Sequence, residues 1–94
     1  MKTAAFHPGT ILLTEYMQPA GLDSKRLAEH IHMDLDDVSR IIAGEQPITA
    51  DVALRLARCF GTTDHFWMNL QTGFELARAR TRLGNELSHL TQLA

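Results

Sequence analysis

Two short apolar-patterned segments lie between Asp23 and Gly44, and only His32 and Met33 separate them. Each opens on an aspartate, Asp23 and Asp34. That residue type accepts hydrogen bonds from the free N–H groups of a first helical turn. Asp37, three residues after Asp34, adds an anion at the positive end of the second segment. Leu27, Ala28 and Ile31 share one side of the first segment, and Leu35, Val38, Ile41 and Ile42 share one side of the second. Gly44 suits the stop. Helices linked this tightly cross steeply, which frees the second to enter a DNA major groove. A plain helical hairpin inside a bundle fits the same spacing, so the pattern alone leaves both open.

Helical periodicity continues on either side. His7-Pro8-Gly9 opens a first helix, Leu12, Leu13, Tyr16 and Met17 repeat along it, and Pro19-Ala20-Gly21 stops it. Thr49 caps a fourth, with Val52, Leu54, Leu56 and Phe60 inward, Arg55 and Arg58 outward, and Gly61 at its end. Thr62 or Thr63 caps a fifth, which runs through Phe66, Trp67, Leu70, Phe74 and Ala77. No β-branched run alternates, so no strand is predicted. The expected fold is all-α, with five helices around Leu12, Tyr16, Leu27, Ala28, Ile31, Val38, Ile41, Ile42, Val52, Leu56, Phe60, Phe66 and Leu70. The cluster Phe66, Trp67, Leu70 and Phe74 reads as core rather than as a cofactor box, because 66, 70 and 74 share a helix face. Beyond it, Leu76, Ala79, Leu83, Leu87 and Leu90 step along the tail by 3, 4, 4 and 3 residues. That heptad-like seam is not needed to close the bundle, so it reads as a dimer or partner surface. Gly84 interrupts it, leaving Asn85 to cap a short last helix or the tail to fray.

Ninety-four residues make one domain, and 45% apolar with 21% charged residues excludes a disordered chain. No apolar run reaches membrane-spanning length. The residues before His7 are too few for an export signal. The lone Cys59 excludes a disulfide framework and reads as a small buried hydrophobe, so a reducing cytoplasm is expected. His7, His30, His32, His65 and His89 never fall four apart, and no cysteine or carboxylate completes a zinc set; neither metal nor cofactor is expected. Ser24, Ser39 and Ser88 lack a nucleophile context, and no glycine loop cradles phosphate, so the chain is not read as an enzyme. Arg78, Arg80 and Arg82, two apart, read as a solvated run rather than a phosphate clamp. The net charge of −2 supplies no global attraction for nucleic acid, so any such contact rests on a few local cations.

Five runs carry a resemblance. They are Gly-Leu-Asp-Ser-Lys-Arg-Leu-Ala-Glu at 21–29, Val-Ser-Arg-Ile-Ile-Ala-Gly at 38–44, Ile-Thr-Ala-Asp-Val-Ala-Leu-Arg-Leu-Ala-Arg at 48–58, Phe-Gly-Thr-Thr at 60–63 and Phe-Trp-Met-Asn-Leu-Gln at 66–71. Together, from His-Pro-Gly at 7–9 to about Ala77, the chain resembles a HigA-type antitoxin of the Xre/Cro-like (lambda-repressor-like) helix-turn-helix family. The resemblance implies a helix-turn-helix domain over residues 1–74, with its motif at about 23–43, and a C-terminal helical extension over 75–94. It implies a cytoplasmic homodimer, nucleoid-associated when bound to a palindromic operator through the major groove. Such a dimer represses its own operon and neutralises a HigB-type toxin, a RelE-like mRNA-cleaving protein. Carried over by position, Leu35, Asp36 and Arg40 face bases and Ser39 shares their side. Leu35 would meet a thymine methyl, Asp36 a cytosine amino group and Arg40 a guanine edge. Ser24, Lys25, Gln46 and the backbone N–H groups of 44–46 would hold phosphates. Leu35 reads equally as a partly buried helix start, and Arg40 as a solvated cation.

Three departures from the family pattern stand out. His32 replaces a customary glycine where a positive φ is expected, a conformation histidine tolerates better than most. Ser24 stands where glutamine is usual. The recognition helix begins Asp34-Leu35-Asp36-Asp37 instead of Ser-Arg. Each of these carboxylates stabilises an exposed helix start by about 0.3–1 kcal/mol, yet opposes an approaching phosphate. From residue 24 to 50 there are three cations, Lys25, Arg26 and Arg40, against five anions, Glu29, Asp34, Asp36, Asp37 and Glu45. A protein-binding module with weak or lost DNA binding, or an orphan Xre-type repressor, are the alternatives.

Overall fold

A computed structural model describes residues 6–93. It is all-α among those residues, as expected, with five helices and a closing 3₁₀ turn. Helix α1 spans residues 8–20, α2 Ser24–Ile31, α3 Leu35–Ile42, α4 Ala50–Phe60 and α5 Asp64–Leu83; Gly84–His89 form the 3₁₀ turn.

His7 opens α1 with its ring, whose Nδ1 accepts the Gly9 N–H at 2.9 Å. Pro8 takes the first helical position, where its missing N–H costs nothing. Mid-helix the turns widen: Leu12–Met17 is π-helical, and the Gln18 N–H reaches the Leu13 carbonyl five residues back. Pro19 explains the wider turn, since in an α-turn its ring would crowd the carbonyl of Glu15. Pro19 therefore sits inside α1, and left-handed Gly21 ends it (φ 70°).

The Asp23 carboxylate caps α2 by accepting the Arg26 N–H at 2.8 Å. His32 ends α2 at φ 59°, ψ 48°, the left-handed conformation expected at that position. The carbonyls of Ile31 and His32, left over at that helix end, accept from the Arg55 guanidinium at 2.8 and 3.0 Å. Arg55 is thus not simply outward: it reaches back from α4 to close α2. Asp34 holds the cap position of α3, but its side chain makes no cap bond, contrary to expectation. Thr49 and Thr63 cap α4 and α5 through the N–H groups of Val52 (3.4 Å) and Phe66 (3.0 Å).

The core holds Leu12, Met17, Leu27, Ala28, Ile31, Val38, Ile41, Ile48, Val52, Ala53, Leu56 and Trp67. Tyr16, Ile42, Phe60, Phe66 and Leu70, expected inside, are half-buried against it. Met17, Ile48 and Ala53 join it unexpectedly, and Trp67 joins it as the aromatic cluster implied. Trp67 is fully buried, and its ring lies 5.0 Å from Tyr16, 6.4 Å from Phe60 and 4.9 Å from Phe66 between centroids. Leu54 corrects another expectation: it is 58% exposed. Val52, Ala53 and Leu56 already fill the inner side of α4, which turns Leu54 out.

Helix α5 runs without a break through residues 74 and 75 to Leu83. Gly84 (φ 52°) then turns the chain, and Leu90 follows in extended conformation. Leu76, Ala79 and Leu83 therefore lie on one helix, whereas Leu87 and Leu90 do not continue it. The heptad-like seam is interrupted as a helical stripe because its register cannot cross that glycine. Leu76, Leu83, Leu87 and Leu90 are all exposed, and Ala79 is half-buried. No helix is long and apolar enough to cross a membrane among the described residues.

Candidate nucleic-acid interface

Helix α3 divides cleanly. Val38 and Ile41 are buried, while Leu35, Asp36, Ser39 and Arg40 are exposed. The apolar side is fixed by α2 and α1, which both pack against α3. One such contact is very close: α1 meets the carbonyl of Ile41 at Gly9, where a side chain has no room. The outer side is consequently presented on a rigid support.

Asp36 and Arg40 sit one turn apart, and the Arg40 Nε lies 3.1 Å from the Asp36 carboxylate. With the two side chains 72% and 53% exposed, this pair adds well under 1 kcal/mol to stability. What it fixes is the direction of the guanidinium along the helix. One of the five guanidinium N–H donors is engaged by Asp36, and the two terminal amino groups, which form the fork that recognises planar paired acceptors, are outside that contact. The pair also answers one of the three carboxylates at this helix start. Asp34 and Asp37 have no ion-pair partner among the described residues.

Ser24, half-buried, and Lys25, exposed, occupy the first turn of α2. Gln46, half-buried, lies in the loop after α3. The structure thus joins Asp36 to Arg40 directly and places Leu35 and Ser39 on their helix, while Ser24, Lys25 and Gln46 belong to flanking elements. The backbone N–H groups of 44–46 are not available to phosphate as expected. Gly44 donates to Ile41 (3.1 Å), and Glu45 and Gln46 both donate to the Arg40 carbonyl (2.8 and 3.3 Å). The carbonyls at the end of α3 need partners, and left-handed Gly44 (φ 81°) turns the loop back to supply them.

Behind this loop lies an open groove of about 600 Å³ between residues 44–47 and α5, which includes Arg78 and Arg82. Arg78 is not simply solvated: its guanidinium stands 5.4 Å over the Phe74 ring. Gln71, the buried polar residue of the core, accepts the Ile48 N–H at 2.8 Å and donates to Glu75 at 2.7 Å. This tether had no local signal, because its partners are 23 residues apart. Burial pushes the half-buried Cys59 thiol up, away from the reactive thiolate. No three His, Cys, Asp or Glu side chains gather as a metal set among the described residues.

No protein-family profile matches the chain. Virulence-associated protein I of Dichelobacter nodosus is 43% identical over 75 residues, which cover 80% of this chain and 69% of that protein. Antitoxin HigA-1 of Vibrio cholerae is 36% identical over 85 residues, covering 90% and 80%. Among solved structures, the Pseudomonas aeruginosa antitoxin HigA with the higBA promoter superposes with a TM-score of 0.89 at 34% identity, covering 95% of this chain and 97% of that one.

Proposed function

This chain belongs to the HigA family of helix-turn-helix antitoxins, and on that footing we propose that it binds operator DNA through the outer side of α3, represses its own operon and neutralises a toxin. The observation that carries the DNA reading is the exposed set Leu35, Asp36, Ser39 and Arg40 on a helix whose other side is buried. It is supported by the likeness to a HigA solved with its promoter. In this reading Arg40, steadied by Asp36, pairs with guanine, Leu35 meets a thymine methyl, and Asp36 or Ser39 takes a neighbouring base edge. Ser24, Lys25 and the Gln46 side chain fix register on the backbone.

One copy reads one half-site. The exposed Leu76 and Leu83, with Ala79 between them, offer α5 as the surface on which a second copy docks, with Leu87 and Leu90 of the tail beside it. Two-fold pairing would set two α3 helices in successive major grooves about 34 Å apart and match a palindromic operator. The toxin partner in this proposal is HigB-type and RelE-like, and the protein works in the cytoplasm. The unpaired Asp34 and Asp37 favour a second reading, in which the start of α3 meets a basic protein partner and DNA binding is lost.

An anisotropy titration on the duplex upstream of its own gene separates the readings. Lys25→Ala should weaken all duplexes alike and flatten the salt slope by about 1. Arg40→Ala should cost about 1–3 kcal/mol and relax discrimination at a single base pair. Wild-type protein with no preference for that duplex over a random one at low salt would remove the repressor reading and leave the protein-binding one.

A further inference from the structure

We propose that His7 is a positioning residue for DNA binding, pinning the loop that follows α3 onto α5 so that the reading helix and the dimer surface move as one body. The inference rests on the DNA reading above. The imidazole touches three elements. Its Nδ1 accepts the Gly9 N–H at 2.9 Å, which orders the first turn of α1. It stands beside Gly44, where a Cβ would sit 3.6 Å from the His7 Cγ. Its ring meets Phe74 of α5 edge-on, 4.8 Å between centroids at 72°. The nearby Gln46 backbone favours the protonated form of the ring. Because Nδ1 accepts, the ring proton sits on Nε2, so the neutral imidazole can accept at one nitrogen, donate at the other and still pack its edge on an aromatic ring.

The pin stands close to the chemistry. Gly44, beside the ring, donates to the Ile41 carbonyl at 3.1 Å, so His7 stands next to the end of the reading helix. Gln71 of α5 holds the same loop two residues on, at Ile48. Loop 44–47 is therefore stitched to the α5 side at both ends, and α5 continues directly to Leu76, Ala79 and Leu83.

Acid should loosen the pin. Burial holds the His7 pKa below its ordinary value, with the Arg78 guanidinium adding to the effect and the Gln46 contact opposing it. The charged groups facing the ring's surroundings are Glu45 from the loop and Glu75, Arg78 and Arg82 from α5. A lowered folded pKa means the contribution is full above the unfolded value and lost as pH falls through the folded one. Protonation at Nδ1 would end its acceptance of the Gly9 N–H.

The test uses the full chain and the duplex upstream of its own gene. His7→Asn keeps a side-chain oxygen for the α1 cap but has no ring to set against Phe74 and Gly44. Its urea midpoint should stay near wild type and its salt slope should be unchanged, while operator affinity falls about tenfold, within the range of measured positioning couplings. Wild-type affinity should drop on acidification toward pH ~5.5 by more than the variant's, the difference isolating His7 from the other histidines. His7→Gln, long enough to reach the loop, should recover part of the affinity. In the absence of DNA, amide exchange at Gly44, Glu45 and Gln46 should quicken in His7→Asn. Wild-type affinity and pH profile in His7→Asn would overturn the proposal. Wild-type protein without operator preference would overturn the DNA reading instead, and unchanged loop exchange in the variant would then overturn the pin as well.

Discussion

Trp67→Ala is expected to cost about 4 kcal/mol of folding stability, a large fraction of what a domain this size possesses. Trp67 is fully buried, and its indole is the meeting point of α1, α4 and α5 through Tyr16, Phe60 and Phe66. Its Nε1 donates to the Thr62 hydroxyl at 2.7 Å, immediately before the Thr63 cap of α5. Truncation would remove the buried ring, leave a large cavity and strip Thr62 of its donor. Urea unfolding followed by circular dichroism reads the change. A loss below about 1.5 kcal/mol would show that the surrounding rings collapse into the space and that the cluster is not what joins those helices.

Gly9→Ala, one methyl group, is expected to cost about 3 kcal/mol by overpacking. The added Cβ would lie 1.9 Å from the Ile41 carbonyl oxygen, 2.8 Å from its carbon and 3.0 Å from the Ile42 Cα. All three are backbone atoms, so no side-chain rotation relieves the clash. The start of α1 must separate from α3, and operator affinity should fall along with stability. Gly73→Ala is the matched control. No atom lies within 4 Å of its added Cβ, and it sits inside α5, so the same substitution should be neutral or stabilising by up to about 1 kcal/mol. Equal effects at the two positions would refute close approach as the reason for Gly9.

Where the sequence was legible, the controlling physics is local. Asp23, Thr49 and Thr63 cap as their side chains require, Gly44 and Gly61 take the left-handed turns that stop helices, and His32 adopts the positive φ its place demands. The misses share a different origin. Ile48 is buried because Gln71 reaches its N–H, and Arg55 turns back because α2 ends in bare carbonyls. Such partners lie too far apart in the chain for periodicity to register. Phe66, Leu70 and Phe74 share a stripe but stay half-buried, whereas Trp67, read as core along with them, is the member sealed in, because the rings of Tyr16 and Phe60 come from other helices. The leucine steps from 76 to 90 look regular as a count of residues, but a count does not see the backbone turn at Gly84. For the interface, the resemblance supplied the exposed residues of α3. It did not supply the loop N–H groups, because the helix end consumes donors that the pattern left for phosphate.

The most direct test of the account is amide chemical-shift mapping during titration of the protein with the duplex upstream of its own gene. The largest changes are predicted at residues 24–26 and 35–40. Changes confined to the tail beyond Leu83, or none at saturating duplex, would contradict the assignment of α3 as the DNA-reading helix.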